Sequence, residues 1–144
     1  MLAETGIDMS PFPSAKHLSS WAAVCPGNNE SAGKRKSGKT AKGNRWLRGA
    51  LGEAACAAAR TKNTYLAAQY RRIAARRGKK RAVVAVSHTL LIAIYHMLRT
   101  QTPYHDLGAD HFQRIAPERL TRHHVQKLQA LGYTVTLTST KDAV

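Results

Sequence analysis

The chain has 144 residues, enough for one domain with a real hydrophobic core. Its 23 Lys and Arg against 8 Asp and Glu leave a formal charge of +15, an excess that strongly favours a polyanionic partner, nucleic acid ahead of an acidic membrane surface. Two widely spaced cysteines, Cys25 and Cys56, exclude a disulfide framework or zinc knuckle, and an acidic N-terminus excludes a signal peptide; a cytoplasmic, nucleoid-associated protein is expected.

In chain order, Pro11 and Pro13 precede a short helix expected from its cap Ser14 to about Val24, with Leu18, Trp21 and Ala22 on one face. Pro26-Gly27 closes it. Residues 27 to 41 read as a basic loop or a loose hairpin. Here Ser31 stands in a turn flanked by Gly27 and Gly33, and Lys34, Arg35, Lys36, Lys39 and Lys42 follow. Glycine permits close backbone approach, successive N–H groups in such a turn can hold an anion, and the cations can neutralise phosphates. Asn44, Arg45 and Arg48 extend this phosphate-binding pattern into the N-terminus of the next helix.

That helix is expected over about 43 to 61, with Trp46, Leu47, Ala50, Leu51, Ala54, Ala55 and Ala58 on one broad inward stripe. Asn63 then caps a helix through about Arg77, with Leu66, Tyr70, Ile73 and Ala74 inward and Gly78 at its stop. Arg71, Arg72, Arg76, Arg77, Lys79, Lys80 and Arg81 form a second basic patch, readable equally as a nucleic-acid contact or a solubilising helix end. The apolar run 82–98 reaches the lower limit for a membrane span. Because it carries Ser87, His88, Thr89 and His96, it reads instead as a central core helix over about Lys80 to Arg99, with His88 and His96 satisfied in the core.

A polar connector occupies 100 to 116. His105, Asp106, Asp110 and His111 lie within it at spacings that match no common zinc site. Pro117 starts a last helix through Leu131, with Leu120, part of Val125, Leu128 and Leu131 inward and His123-His124 on a solvated face. Tyr133 to Thr138 alternates as a short strand in need of a partner. The fold class is mostly α: a compact helical domain with an exposed basic loop and a short C-terminal extended segment.

Several segments, in order, carry a family resemblance: Gly6 to Phe12, Pro13 to Trp21, Cys25 to Gly33, Lys42 to Arg48, Ala58 to Lys62, Tyr70 to Arg72, Arg76 to Lys80 and Tyr104 to Gly108. Over about residues 3 to 115 the chain resembles the C-terminal Tnp domain of the IS-one-ten group of bacterial insertion-sequence transposases, the bridge-RNA-guided recombinases. The resemblance implies a division into an upstream remnant (1–12), the Tnp domain (13–116) and a C-terminal helix and tail (117–144). Ser31 matches the family's catalytic serine, which attacks a DNA phosphodiester to give a covalent phosphoserine before strand exchange. Residue chemistry alone also fits an ordinary turn serine.

Family members join this domain to an N-terminal RuvC-like nuclease domain with a DEDD carboxylate set, for which a divalent metal, magnesium, is implied. The eight acids here are too scattered to supply such a set, and the chain reads as a truncated member. The implied partners are DNA, a guide RNA, and further copies or full-length transposase; no membrane is implied. The expected function is a DNA-binding transposase domain that supplies Ser31 to a composite active site. The alternatives are a non-catalytic nucleic-acid-binding remnant and an inhibitor of full-length transposase.

Overall fold

The computed structural model describes residues 2–25 and 29–138, with the backbone alone at Asn29, Arg35 and Lys36. The expected helix stop at Pro26-Gly27 lies outside the described residues. The mostly α class holds: seven helices and one two-stranded hairpin make up the regular structure of the described residues. The chain divides into two units, Met1–Ala109 and Asp110–Val144.

In the first unit, α1 (Leu2–Thr5) and α2 (Ala15–Trp21) precede the hairpin β1 (Asn29–Ser31) and β2 (Lys34–Ser37). Helices α3 (Arg45–Arg60), α4 (Tyr65–Arg77) and α5 (Lys79–Thr100) follow. By length and composition α5 could cross a membrane; here α2, α3 and α4 all pack against it. One end of the core joins Met9, Leu18, Ala22, Val24, Leu47, Leu51, Leu91 and Tyr95, and a second cluster joins Ala55, Leu66 and Val86. Removing this apolar surface from water is the main favourable term of the fold.

Polar links set the register between helices. Buried Ser87 donates from Oγ to the Leu51 carbonyl at 3.2 Å, tying α5 to α3. The Tyr95 hydroxyl donates to the Phe12 carbonyl at 2.9 Å and accepts from Arg99 Nη1 at 2.7 Å, anchoring the N-terminal segment on α5. Gly43 passes so close to the end of α2 that a Cβ there would lie 2.5 Å from Ala23 Cβ and 2.7 Å from the Ala22 oxygen.

Several local expectations are corrected. The cap of α4 is Thr64, whose Oγ1 accepts from the Ala67 N–H, and Asn63 adopts a left-handed φ of 55° in the turn before it. Trp21 is 45% exposed and packs tilted against Phe12 instead of entering the core. On α3 the buried row is Leu47, Leu51 and Ala55, whereas Trp46, Ala50 and Ala54 are exposed. A wide stripe of alanines carries little polarity, so its phase is decided by the two leucines. On α5, burial lowers the pKa of half-buried His88, but His96 is exposed and touches the Tyr95 ring edge-on.

Asp106 accounts for the ligand-rich look of the connector. Its carboxylate accepts from the Tyr65 N–H at 3.1 Å, the Gly108 N–H at 2.7 Å and the Tyr104 hydroxyl at 3.2 Å. It therefore fastens the connector to the first turn of α4. Burial pushes its pKa up, but these donors outweigh burial and hold it below the ordinary carboxylate value.

In the second unit, α6 (His111–Ile115) carries an Arg114–Asp110 ion pair at 3.0 Å and leads into α7 (Pro117–Ala130). No residue of α7 is buried, and Leu131 is 73% exposed, so Leu128 and Leu131 do not face inward as the periodicity suggests. His123 and His124 are exposed. Tyr133 to Thr138 has no regular secondary structure and is not a strand; among the described residues it has no partner strand to supply a ladder.

Gly43→Ala should lower stability by about 1–3 kcal/mol, the usual cost of overpacking, whereas Gly49→Ala, whose Cβ would enter open space, should raise it slightly through helix propensity. Thermal unfolding of the two variants distinguishes them. Asp106→Ala should cost roughly 1 kcal/mol at neutral pH. A depressed carboxylate pKa gives stability that is complete above the unfolded value and lost as pH falls through the folded one. Denaturant titrations should therefore show the gap between wild type and variant closing below about pH 4.

Candidate nucleic-acid interface

The basic segment 27–41 is a hairpin over its described part. Its strands are antiparallel, with Ser31 opposite Lys34 and Glu30 opposite Arg35, and an irregularity lies between Asn29 and Glu30. The two connecting residues, Ala32 and Gly33, have φ of 50° and 73°. Positive φ at both centres marks the type I′ turn that suits the twist of a hairpin. Glycine takes this region freely, whereas at Ala32 the Cβ makes it strained.

This geometry puts Ser31 at the hairpin tip, exposed and directly across from Lys34. Cross-strand neighbours have Cβ atoms about 5 Å apart on one face of the ladder. Lys34 is thus the residue paired with Ser31 in the ladder. Glu30, the adjacent residue on the strand, projects to the opposite face. The backbones of Arg35 and Lys36 continue β2, and their side chains lie outside the described residues.

Beyond β2, the Lys39 N–H donates to Ser37 Oγ at 3.2 Å, and the chain reaches α3 without further helix, with Lys39 and Lys42 exposed. Asn44 caps α3: its Oδ1 accepts from the Trp46 N–H at 2.9 Å and the Leu47 N–H at 3.0 Å, while its Nδ2 donates to Glu4 on α1. Arg48 turns back along the incoming chain, donating to the Ala41 carbonyl at 3.2 Å and to Thr40 Oγ1 at 3.3 Å. Arg45 lies with its guanidinium carbon 5.2 Å from the centre of the Trp46 ring. Arg45, Arg48 and Thr40 also line an open cavity of about 280 Å³ against Val83, Val84 and Ser87 of α5.

The sequence-derived site residues therefore fall into two groups. Ser31 and Lys34 meet at the hairpin tip, while Asn44, Arg45 and Arg48 gather at the start of α3, where Asn44 and Arg48 already hold internal partners. Lys39 and Lys42 occupy the chain between the groups. Sequence reasoning missed Trp46, which it assigned to the core. Its only signal was the flanking arginines in Asn44-Arg45-Trp46-Leu47-Arg48, since an aromatic interleaved with cations is also a nucleic-acid pattern.

Among the described residues, no three of His, Cys, Asp and Glu come together to hold a metal ion. Cys25 and Cys56 are free thiols, and burial pushes the Cys25 pKa up.

The hairpin tip and the start of α3 carry the exposed cations Lys34, Lys39, Lys42 and Arg45, which give this part of the helical domain a basic surface. The family model described as transposase, IS116/IS110/IS902 family, matches residues 1–71, just under half of the chain and the stretch that holds α1 to α3, the hairpin and the start of α4. Over residues 1–71 the chain is similar to insertion-sequence transposases of that family, and the similarity supports a transposition-related function. No curated protein and no solved structure is similar enough to the chain to count as a match.

Because Asn44 satisfies two otherwise orphaned N–H groups, Asn44→Ala should destabilise the domain by roughly 1 kcal/mol, whereas Asn44→Ser, which keeps a capping oxygen without setting a carboxylate against Glu4, should retain more of the stability. Chemical denaturation of both variants checks this. An Asn44→Ala protein as stable as wild type would show that the cap contributes nothing.

Proposed function

We propose that this chain is a DNA-binding transposase domain in which the hairpin tip presents Ser31 as the nucleophile of a composite active site. The observation that carries the reading is the register that sets Ser31 opposite Lys34 at the exposed tip of a strained two-residue turn, within the segment that matches the transposase family. In the reaction, Ser31 Oγ bonds to phosphorus as one bridging P–O bond of the DNA breaks. Lys34 stabilises the charge that grows on the phosphate oxygens. Lys39, Lys42 and Arg45 hold the flanking backbone, joined by Arg35, Lys36 and Arg48 as their geometry permits, while Asn44 keeps the helix start in place.

The departing Ser31 proton needs an acceptor. Lys34 cannot take it while cationic, and Glu30 belongs to the other face of its strand. The rest of the site, metal included, is accordingly supplied from outside the described residues, by a carboxylate-bearing nuclease domain. A non-catalytic reading draws on one observation: Ser31 Oγ has no hydrogen-bond partner among the described residues.

Two measurements test the proposal. Affinity of the purified chain for duplex DNA should fall steeply with salt, by about 0.9 in log K per log unit of salt for each phosphate neutralised, and Lys39→Ala should reduce that slope by about one. Salt-insensitive binding contradicts the DNA reading. With a nuclease-domain partner supplied in trans, Ser31→Ala should abolish strand transfer and the covalent protein–DNA adduct. Unchanged recombination would leave a binding module without chemistry.

A further inference from the structure

Trp46 is the least expected surface residue of the first unit. An indole offers a large apolar area whose burial is normally favourable, yet 70% of this one is exposed. It follows the cap of a 16-residue helix whose opposite row enters the core, so a small rotation of α3 cannot bury it without withdrawing Leu47, Leu51 and Ala55. The exposure is therefore built into the packing of α3.

The surroundings of the ring have a definite chemistry. The Arg45 guanidinium lies over one part of it, and exposed Lys42 is four residues upstream. Helical side chains lean toward the N-terminus, so the residues able to cover Trp46 are those three and four positions ahead. These are Gly49 and Ala50. A Cβ at Gly49 would meet nothing within 4 Å, and Ala50 has only an exposed methyl. The Glu4 carboxylate at this helix start is bonded to Asn44 Nδ2. An uncovered aromatic face among cations suits a flat ring attached to a phosphate chain. It suits an aliphatic protein surface poorly.

We propose that Trp46 is a stacking platform for an unpaired base of single-stranded DNA, with the adjoining phosphates on Arg45 and Lys42. The inference rests on the DNA-binding reading above and adds to it the class of substrate: a strand with an accessible base and not a fully paired duplex. Stacking on an aromatic side chain is tolerant of sequence because every base has a π-face. Base recognition and phosphate neutralisation thereby come from adjacent residues of one helix turn.

The test uses the full chain with Trp21→Phe, so that Trp46 is the sole tryptophan. Single-stranded DNA should quench its fluorescence, and a fully paired duplex of the same length should quench it much less. Trp46→Ala should weaken single-strand binding about tenfold or more, leave duplex affinity and its salt slope nearly unchanged, and be substantially rescued by Trp46→Phe. Because the side chain is outside the core, the alanine variant should keep the thermal midpoint of its parent, which shows that the loss is not unfolding.

Salt-dependent duplex binding with single-strand affinity unaltered by Trp46→Ala overturns this inference alone. Absence of binding to either form overturns the DNA-binding reading as well. Concentration-dependent self-association without DNA, seen by sedimentation and lost in Trp46→Ala, assigns the ring to a second copy of the chain and also overturns it. Quenching by single-stranded RNA with none by DNA moves the site to an RNA ligand and overturns the DNA assignment.

Discussion

The burial of α5 is the constraint on which the first unit depends. A 22-residue helix with little polar surface cannot remain open to water, and α2, α3 and α4 cover it from different directions. The leucines that do so on α3, Leu47 and Leu51, share their cluster with Leu18, Leu91 and Tyr95. Their packing sets the rotation of α3, and the Ser87–Leu51 hydrogen bond sets its position along α5. Once these are set, the opposite row of α3 has no choice but to face solvent.

The proposed nucleic-acid surface follows from that rotation. The incoming chain is held to the end of α2 at Gly43, is capped at Asn44 and is strapped by Arg48 to Thr40 and Ala41. Internal bonding thus uses Asn44 and part of Arg48, while Arg45, Trp46 and Lys42 are left outward. The hairpin contributes differently, through a turn whose two left-handed residues bring Ser31 and Lys34 face to face. In the proposed function, the capped helix start serves binding and the strained hairpin tip serves chemistry, as separate parts of one basic segment.

Much of this was legible in the sequence because strong local signals agree with the tertiary structure. Gly78, at a φ of 85°, separates α4 from α5 as expected, and Pro117 starts α7. The apolar run 82–98 resolves as the central helix, and the ordered motifs pointed to the transposase family that matches residues 1–71. What escaped required facts that periodicity does not contain. Alanines at 50, 54, 55 and 58 fit either side of an interface, so Trp46 was assigned to the wrong side. Asn63 and Thr64 are both able caps, and only the φ of 55° at Asn63 separates them. The alternation at 133–138 is a real pattern, but a strand exists only where a neighbour pairs with it. The pairing of Ser31 with Lys34 depends on a register that composition cannot give.

The central claim is that nucleic acid engages the surface built from the hairpin tip and the start of α3. Amide chemical-shift mapping of the isotopically labelled chain during titration with DNA tests it most directly. Perturbations should concentrate at residues 30–48, with the Trp46 indole N–H among the resonances that move, and α7 should stay near its free positions. Saturable binding that shifts α7 or the α4–α5 turn while leaving residues 30–48 and the Trp46 indole unmoved would contradict the account.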